Sequence, residues 1–216
     1  METIDAIRSR RAINFFDSSR EVPQEKLLEI IELAGLAPSS GNLQPWEVVL
    51  VTDLERKRAL RRCASNQAKV EEASAVLIIL ANPGAVEENL EAVTADRISK
   101  GYVKAEAAEK QKEYFFGAYG GRDSEPRRIF AVKNAAFFAM NFMIAAAGLG
   151  YATHPMDGFD PVEVKREFGI PDNRVIPLLI AVGHPAPDMT LLPRPGRRGV
   201  DEYIMMNGFR DSRGSP

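Results

Sequence analysis

Residues 131–148 read Ala131-Val132-Lys133-Asn134-Ala135-Ala136-Phe137-Phe138-Ala139-Met140-Asn141-Phe142-Met143-Ile144-Ala145-Ala146-Ala147-Gly148, and the fold turns on this run. It is apolar on nearly every side at helical spacing. A helix with no polar stripe has to be enclosed by other protein, so the segment is predicted to be a central helix. In a chain of 216 residues, full enclosure points to a second subunit. The longest apolar stretch, Ala135 to Tyr151, is broken by Asn141 and falls short of the ~20 residues a spanning helix needs, so no membrane segment is read here.

Working outward, Gly148-Leu149-Gly150 ends the helix and Tyr151 to Thr153 is predicted as a short strand. Asp160-Pro161-Val162-Glu163 has the N-cap, first-turn proline and capping-box chemistry of another helix, closed by Gly169. Val175 to Val182 is predicted as the last strand. Upstream, Glu47 to Thr52 and Ala75 to Ala81 are continuous apolar runs of strand length, which suggests strands buried on both faces. A helical stretch from about Asp53 to Glu72 separates them. Ile4 and Ile7 mark a first turn of helix, and Pro23 is read as the first residue of a helix carrying Leu27, Ile30, Ile31 and Ala34. Residues 84–122 are charged and Ala-rich, with Tyr102, Tyr114, Phe115 and Phe116 among them, and suggest a helical excursion outside the sheet. Strands and helices alternate only partly. The predicted class is α+β, one domain over residues 1–216 with a variable excursion at 84–122 and a C-terminal tail at 209–216; the order of the strands is not derivable from these patterns.

Composition narrows the chemistry. Of 28 Lys+Arg, 19 are Arg, against 30 Asp+Glu, and the net charge of −2 argues against broad attraction to nucleic acid. Cys63 is the only cysteine, so an intrachain disulfide or Cys-based zinc cage is excluded, and a reducing compartment such as cytoplasm is expected. The N-terminus, METIDAIRSRR, lacks the apolar core of a signal peptide. The two histidines, His154 and His184, each precede proline and read as structural loop residues. Cys63 reads as a half-buried structural thiol. Gly148-Leu149-Gly150 follows a helix and lacks a third glycine, so no dinucleotide fingerprint is supported.

Three segments could carry chemistry. Arg8-Ser9-Arg10-Arg11 places three guanidiniums within four residues; they repel unless an anion lies among them, and Arg pairs with phosphate oxygens through two parallel hydrogen bonds. Arg194, Arg197 and Arg198 form a second cluster near the other end, and both could converge on one phosphate. Solvated surface charge is the alternative. The loop Ala37-Pro38-Ser39-Ser40-Gly41-Asn42-Leu43-Gln44-Pro45-Trp46 gathers hydroxyls, amides and the sole Trp before a buried strand, chemistry suited to a planar polar ligand or to an ordinary helix-to-strand turn. The segment His154-Pro155-Met156-Asp157-Gly158-Phe159-Asp160 joins a strand to a capped helix, where backbone amides are free to meet a ligand or simply make a connection.

Taken in this order and spacing, the segments resemble the FMN-dependent nitroreductase family: Arg10-Arg11-Ala12-Ile13-Asn14 its N-terminal basic motif, Pro38 to Trp46 its second motif, and Met156 to Asp160 its flavin loop. The resemblance continues through Glu167-Phe168-Gly169-Ile170-Pro171 and Ala181-Val182-Gly183-His184-Pro185. It implies a mainly antiparallel sheet flanked by helices, an intertwined homodimer and a helical lid at residues 84–122. It assigns Arg10, Arg11, Arg197 and Arg198 to the FMN phosphate, Asn66 and Lys69 to the ribityl and pyrimidine edge, and the Asp157-Gly158 backbone to flavin N5. Ser39, Ser40 and Asn42 would approach from the partner subunit; Ala12, Asn14 and Pro38 are also implied to bind the cofactor, Asn14 at the ring edge or ribityl. Ala12 stands where the family usually has Ser, and Asn14 where it has a basic residue, so phosphate grip falls more heavily on the arginines. The flavin would carry the redox chemistry, tuned by Lys69, Asp157 and Gly158, with NADH or NADPH as reductant and a nitroaromatic, quinone or other small acceptor reduced in ping-pong turnover. Arg122, Arg127 and Arg128 are candidates for an acidic substrate or the NADPH phosphate. A reductive dehalogenase or flavin-consuming enzyme of the same fold is the rival reading. A non-catalytic phosphate-ligand or nucleic-acid module is another, and it leaves the Pro38–Trp46 loop unexplained.

Overall fold

The structure, a computed structural model, describes residues 1–209; the expected tail at 209–216 lies, beyond Phe209, outside the described residues. Its centre is an antiparallel sheet in the order β1-β2-β4-β3, formed by Trp46–Val51 (β1), Ala75–Ala81 (β2), Ala152–Met156 (β3) and Val175–Gly183 (β4). β2 is buried throughout, and its period-2 alternation divides the core. Leu77 and Ile79 face a cluster with Phe138 and Phe142, while Val76, Ile78 and Leu80 face Leu60, Val70 and Val164. Both faces are thus covered, which is why β2 reads as unbroken apolar sequence.

The first face is covered by helix α7 (Glu125–Gly148), the second by α3 (Leu54–Cys63), α4 (Ala68–Glu72) and α8 (Pro161–Phe168). α7 is long and apolar enough by composition to cross a membrane, but Phe130, Asn134, Phe138 and Phe142, four residues apart, are buried in the core. Enclosure is incomplete in the single chain, since Ile129, Phe137 and Met140 on the same helix remain 57%, 45% and 40% exposed. Trp46 stacks on Phe138 at 5.5 Å between ring centroids, so the lone Trp fastens the preceding loop to α7.

Several boundaries differ from the sequence reading. Pro23 is the N-cap of α2 (Gln24–Gly35), its carbonyl accepting from the Lys26 and Leu27 amides. The stretch 53–72 is two helices broken at Ser65 and Asn66, which both have positive φ. β3 runs to Met156 and takes in His154. Asp160 caps α8 through the Val162 and Glu163 amides, but the Glu163 carboxylate pairs with Arg166 and does not close a capping box. In the 84–122 excursion, α5 (Ala85–Ser99) buries Val86 and Leu90 in the core, and α6 (Ala108–Tyr119) is largely exposed except for Phe115. The fully buried Arg127 ties this excursion to α7 by an ion pair to Glu87 at 2.6 Å and a hydrogen bond to the Gly120 carbonyl.

Candidate functional site

The segment after α1 (Thr3–Ser9) is pinned to edge strand β3 by a parallel bridge from Ala12 to Thr153 and by the Ile13 amide donating to the Thr153 carbonyl at 3.1 Å. This places Arg10, Arg11, Ala12 and Asn14 along a cleft of about 470 Å³ whose other wall is Met189 to Pro195 with Arg197. The two arginine clusters therefore meet, 184 positions apart in the chain. Arg194 caps the end of α1, its guanidinium donating to the Arg8 and Arg10 carbonyls at 2.7 and 2.9 Å. Burial, Arg194 and Arg197 push the Arg10 guanidinium below the ordinary arginine range. No described carboxylate makes an ion pair with Arg10, Arg11, Arg194 or Arg197. Arg198 lies instead over the Tyr203 ring, 5.6 Å from its centroid.

A second group of residues adjoins this cleft. Lys69 Nζ donates to Asn14 Oδ1 at 2.8 Å and sits 3.2 Å from His154 Nε2. His154 Nδ1 is 2.9 Å from the Ile13 carbonyl; this contact requires the proton on Nδ1 and leaves Nε2 as an acceptor for the ammonium. Burial depresses the Lys69 and His154 pKa values, and the facing ammonium depresses the imidazole further. The positive-φ break at Ser65-Asn66 precedes Gln67, whose side chain donates to the Gly158 carbonyl in the 156–160 loop at 2.9 Å; the Asp160 amide donates to the Cys63 carbonyl at 2.8 Å. Asn66 is held by Arg61 at 2.9 Å. No described backbone acceptor takes the Asp157 or Gly158 amide. Asn14, Lys69, Asn66 and the 157–158 backbone are thereby assembled on one side of the sheet.

The Pro38–Asn42 loop is assembled elsewhere. The Ser40 amide donates to the buried Asn134 side chain at 3.1 Å, the Ser40 hydroxyl bonds the Tyr119 phenol, and Ser39 Oγ accepts from the Gln44 amide at 3.0 Å. Gly41, Asn42 and Gln44 all have positive φ, and a Cβ at Gly41 would collide with the Phe115 ring. No hydrogen bond among the described residues joins this loop to Arg10–Asn14 or to Lys69. Arg122 and Arg127 each pair with a carboxylate, Glu88 and Glu87, at 2.6 Å, and Arg127 is also fully buried; Arg128 has no described ion pair. Cys63 Sγ donates to the Ala59 carbonyl and burial raises its pKa, in keeping with a structural thiol.

The sequence profile of the nitroreductase family matches residues 7–184, which include the Arg10–Asn14, Pro38–Trp46 and Met156–Asp160 segments. The chain belongs to the nitroreductase family. Similar relatives include an NADH dehydrogenase of Thermus thermophilus, 36% identical, with 84% of this chain and 85% of that one aligned. YodC of Bacillus subtilis, which carries an NAD(P)H nitroreductase name, is 34% identical over 84% of this chain and 88% of its own. Among solved structures, a chain of Exiguobacterium sibiricum determined in complex with FMN superposes with a TM-score of 0.83 at 24% identity, covering 95% of this nitroreductase-family chain and 97% of that one.

Gln67, Asn134 and Tyr119 have no site role in the sequence reading, and His154 reads there only as a structural loop residue. Each acts through a partner distant in the chain, 91, 94, 79 and 85 positions away, so no local pattern marks it.

Proposed function

We propose that this nitroreductase-family protein is a homodimeric, FMN-dependent oxidoreductase that takes reducing equivalents from NADH or NADPH. It passes them in ping-pong fashion to a nitroaromatic, a quinone or a related small acceptor. The observation that carries this reading is the convergence of Arg10, Arg194 and Arg197 on a cleft continuous, through Asn14, with the Lys69 ammonium. Guanidiniums gathered at one cleft with no described carboxylate paired to them fit a dianionic phosphate. The names of the relatives and the FMN in a structural neighbour support the same reading.

FMN, when bound, supplies the hydride and electron chemistry that no side chain here provides. Arg10, Arg11 and Arg197 would hold its phosphate, and Arg194 would hold α1 in place through the backbone carbonyls. Lys69 Nζ, held by Asn14 Oδ1 and facing His154 Nε2, would offer a positioned cation to negative charge on the reduced cofactor. The Asp157 and Gly158 amides have no acceptor among the described residues, and Gln67 fixes the carbonyl beside them. Ser39, Ser40 and Asn42 belong in this reading to the partner's site, which accords with their separation from Arg10 and Lys69 within one chain. Exposed apolar residues on α7 supply the surface such a pairing would cover.

Loading the purified protein with FMN and measuring retention tests the reading. Arg10→Ala combined with Arg197→Ala is expected to weaken FMN binding at least about 100-fold, since a hydrogen bond to a charged group contributes ~1.5–3 kcal/mol, while far-ultraviolet circular dichroism stays unchanged. Flavin affinity equal to that of the parent protein would overturn the phosphate assignment.

A further inference from the structure

The flavin-facing loop has a second neighbour that the cofactor assignment does not use. Gly41 and Asn42 border a cleft of about 450 Å³ whose remaining wall is Asp96, Arg97, Lys100 and Tyr102, at the end of α5. The charges in this cleft are unequal in their availability. Lys100 and Asp96 neutralise each other at 2.8 Å. Arg97, partly buried in the last turn of α5, makes no ion pair or side-chain hydrogen bond among the described residues. The cleft therefore presents one uncompensated guanidinium.

The backbone brings an aromatic ring to the same place. Gly101 has φ +77, and this turn carries the Tyr102 amide back to the Arg97 carbonyl at 2.9 Å. Tyr102 is 75% exposed although it borders the cleft, so the ring is available to a visiting molecule. A planar fork that binds carboxylate through two hydrogen bonds, beside an aromatic surface, suits a flat ring bearing an anionic substituent.

We infer that Arg97 and Tyr102 form a subsite that selects anionic aromatic acceptors, with Arg97 reading the carboxylate and Tyr102 lining the ring. The inference rests on the oxidoreductase reading, because that reading places a flavin against the Gly41-Asn42 turn. A cation in the last turn also favours the helix macrodipole. That role acts on stability and has no means of separating a charged acceptor from a neutral one.

The test uses the FMN-loaded protein with para-nitrobenzoate and para-nitrobenzamide, which differ in charge far more than in size. Two readouts are compared: the ratio of kcat/KM for the two acceptors, and the ratio of their equilibrium dissociation constants for the oxidised protein by calorimetry. The parent protein is expected to favour the carboxylate, and Arg97→Gln to reduce that preference about tenfold in both readouts. Arg97→Lys, which keeps the charge and loses the fork, should retain part of it. Tyr102→Ala should weaken both acceptors and leave the ratio in place. Rapid mixing with NADH and NADPH separates the other source of an anion: a changed NADPH-to-NADH preference in Arg97→Gln would give the guanidinium to the nucleotide phosphate and overturn the acceptor assignment. An unmoved acceptor ratio with FMN retained would overturn the subsite alone. Failure to retain FMN would defeat the oxidoreductase reading and the subsite with it.

Discussion

Lys69 and His154 are two basic groups in contact, and the fold permits it by keeping the imidazole neutral. Its Nδ1 proton goes to the Ile13 carbonyl, and Nε2 faces the ammonium. Burial pushes the imidazole below its ordinary value, Lys69 pushes it further, and the Ile13 hydrogen bond opposes both. The consequence for stability has a definite sign. As pH falls through about 6.5 the unfolded chain takes up a proton that the folded imidazole resists, so stability is full above that pH and declines below it. His184 is depressed as well, and the depressed carboxyls of Asp17, Glu71 and Glu88 lose their contribution in a more acidic window. His154→Asn, which can keep a donor toward Ile13, should therefore flatten the fall in unfolding free energy between about pH 7 and pH 5.5, by no more than about 1.4 kcal/mol per pH unit. Urea melts across that range measure the slope, and an unaltered slope would remove His154 from the account.

At the scale of elements, α6 and the Pro38–Asn42 loop behave as one piece, because Phe115 lies against Gly41 and Tyr119 bonds Ser40. A methyl at Gly41 meets a positive φ and a filled space together. Gly41→Ala is expected to destabilise the fold by about 2 kcal/mol or more, read from urea midpoints, and Phe115→Ala by about 3 kcal/mol. Tyr119→Phe leaves the ring in place and should cost about 1 kcal/mol; a loss in all three variants no larger than that of Tyr119→Phe would mean that loop and helix are not joined. Such joints set the limit of what the sequence discloses. β2 was legible because both its faces are buried and every position is apolar. β3 was legible only at its start, since His154-Pro155 resembles a loop; Pro155, which has no amide to give, is tolerated because β3 lies at the sheet edge. The break between α3 and α4 was not legible, because two left-handed residues there are compensated by distant contacts to Gly158 and Asp160. In the site, the arginine clusters and the Ser-Ser-Gly-Asn loop announced themselves by composition. The residues that hold Lys69 and the Ser40 amide, His154 and Asn134, look locally like structural polar groups.

At the scale of the whole molecule, large apolar side chains are left exposed on three neighbouring helices, as surfaces that meet a partner often are. Ile129, Phe137 and Met140 on α7 are exposed together with Leu28, Leu33 and Leu36 on or beside α2 and Ile4 and Ile7 on α1. α7 also packs against both α1 and α2, so these residues belong to neighbouring elements. The two halves of the proposed cofactor site, Arg10 to Lys69 and Ser39 to Asn42, share no hydrogen bond among the described residues. A second copy seated on α7 would cover the apolar surface and complete the site by the same event, which makes assembly and flavin binding a single measurable property. Phe137→Glu combined with Met140→Glu places two carboxylates in that contact, where an unpaired buried charge costs roughly 3 kcal/mol or more. Dimerisation should weaken more than about 100-fold. Sedimentation velocity is expected to show a dimer for the parent protein and a monomer for the variant, with circular dichroism preserved and FMN retention lost in step. A parent protein that is monomeric at micromolar concentration yet holds FMN fully would show instead that one chain closes the site by itself.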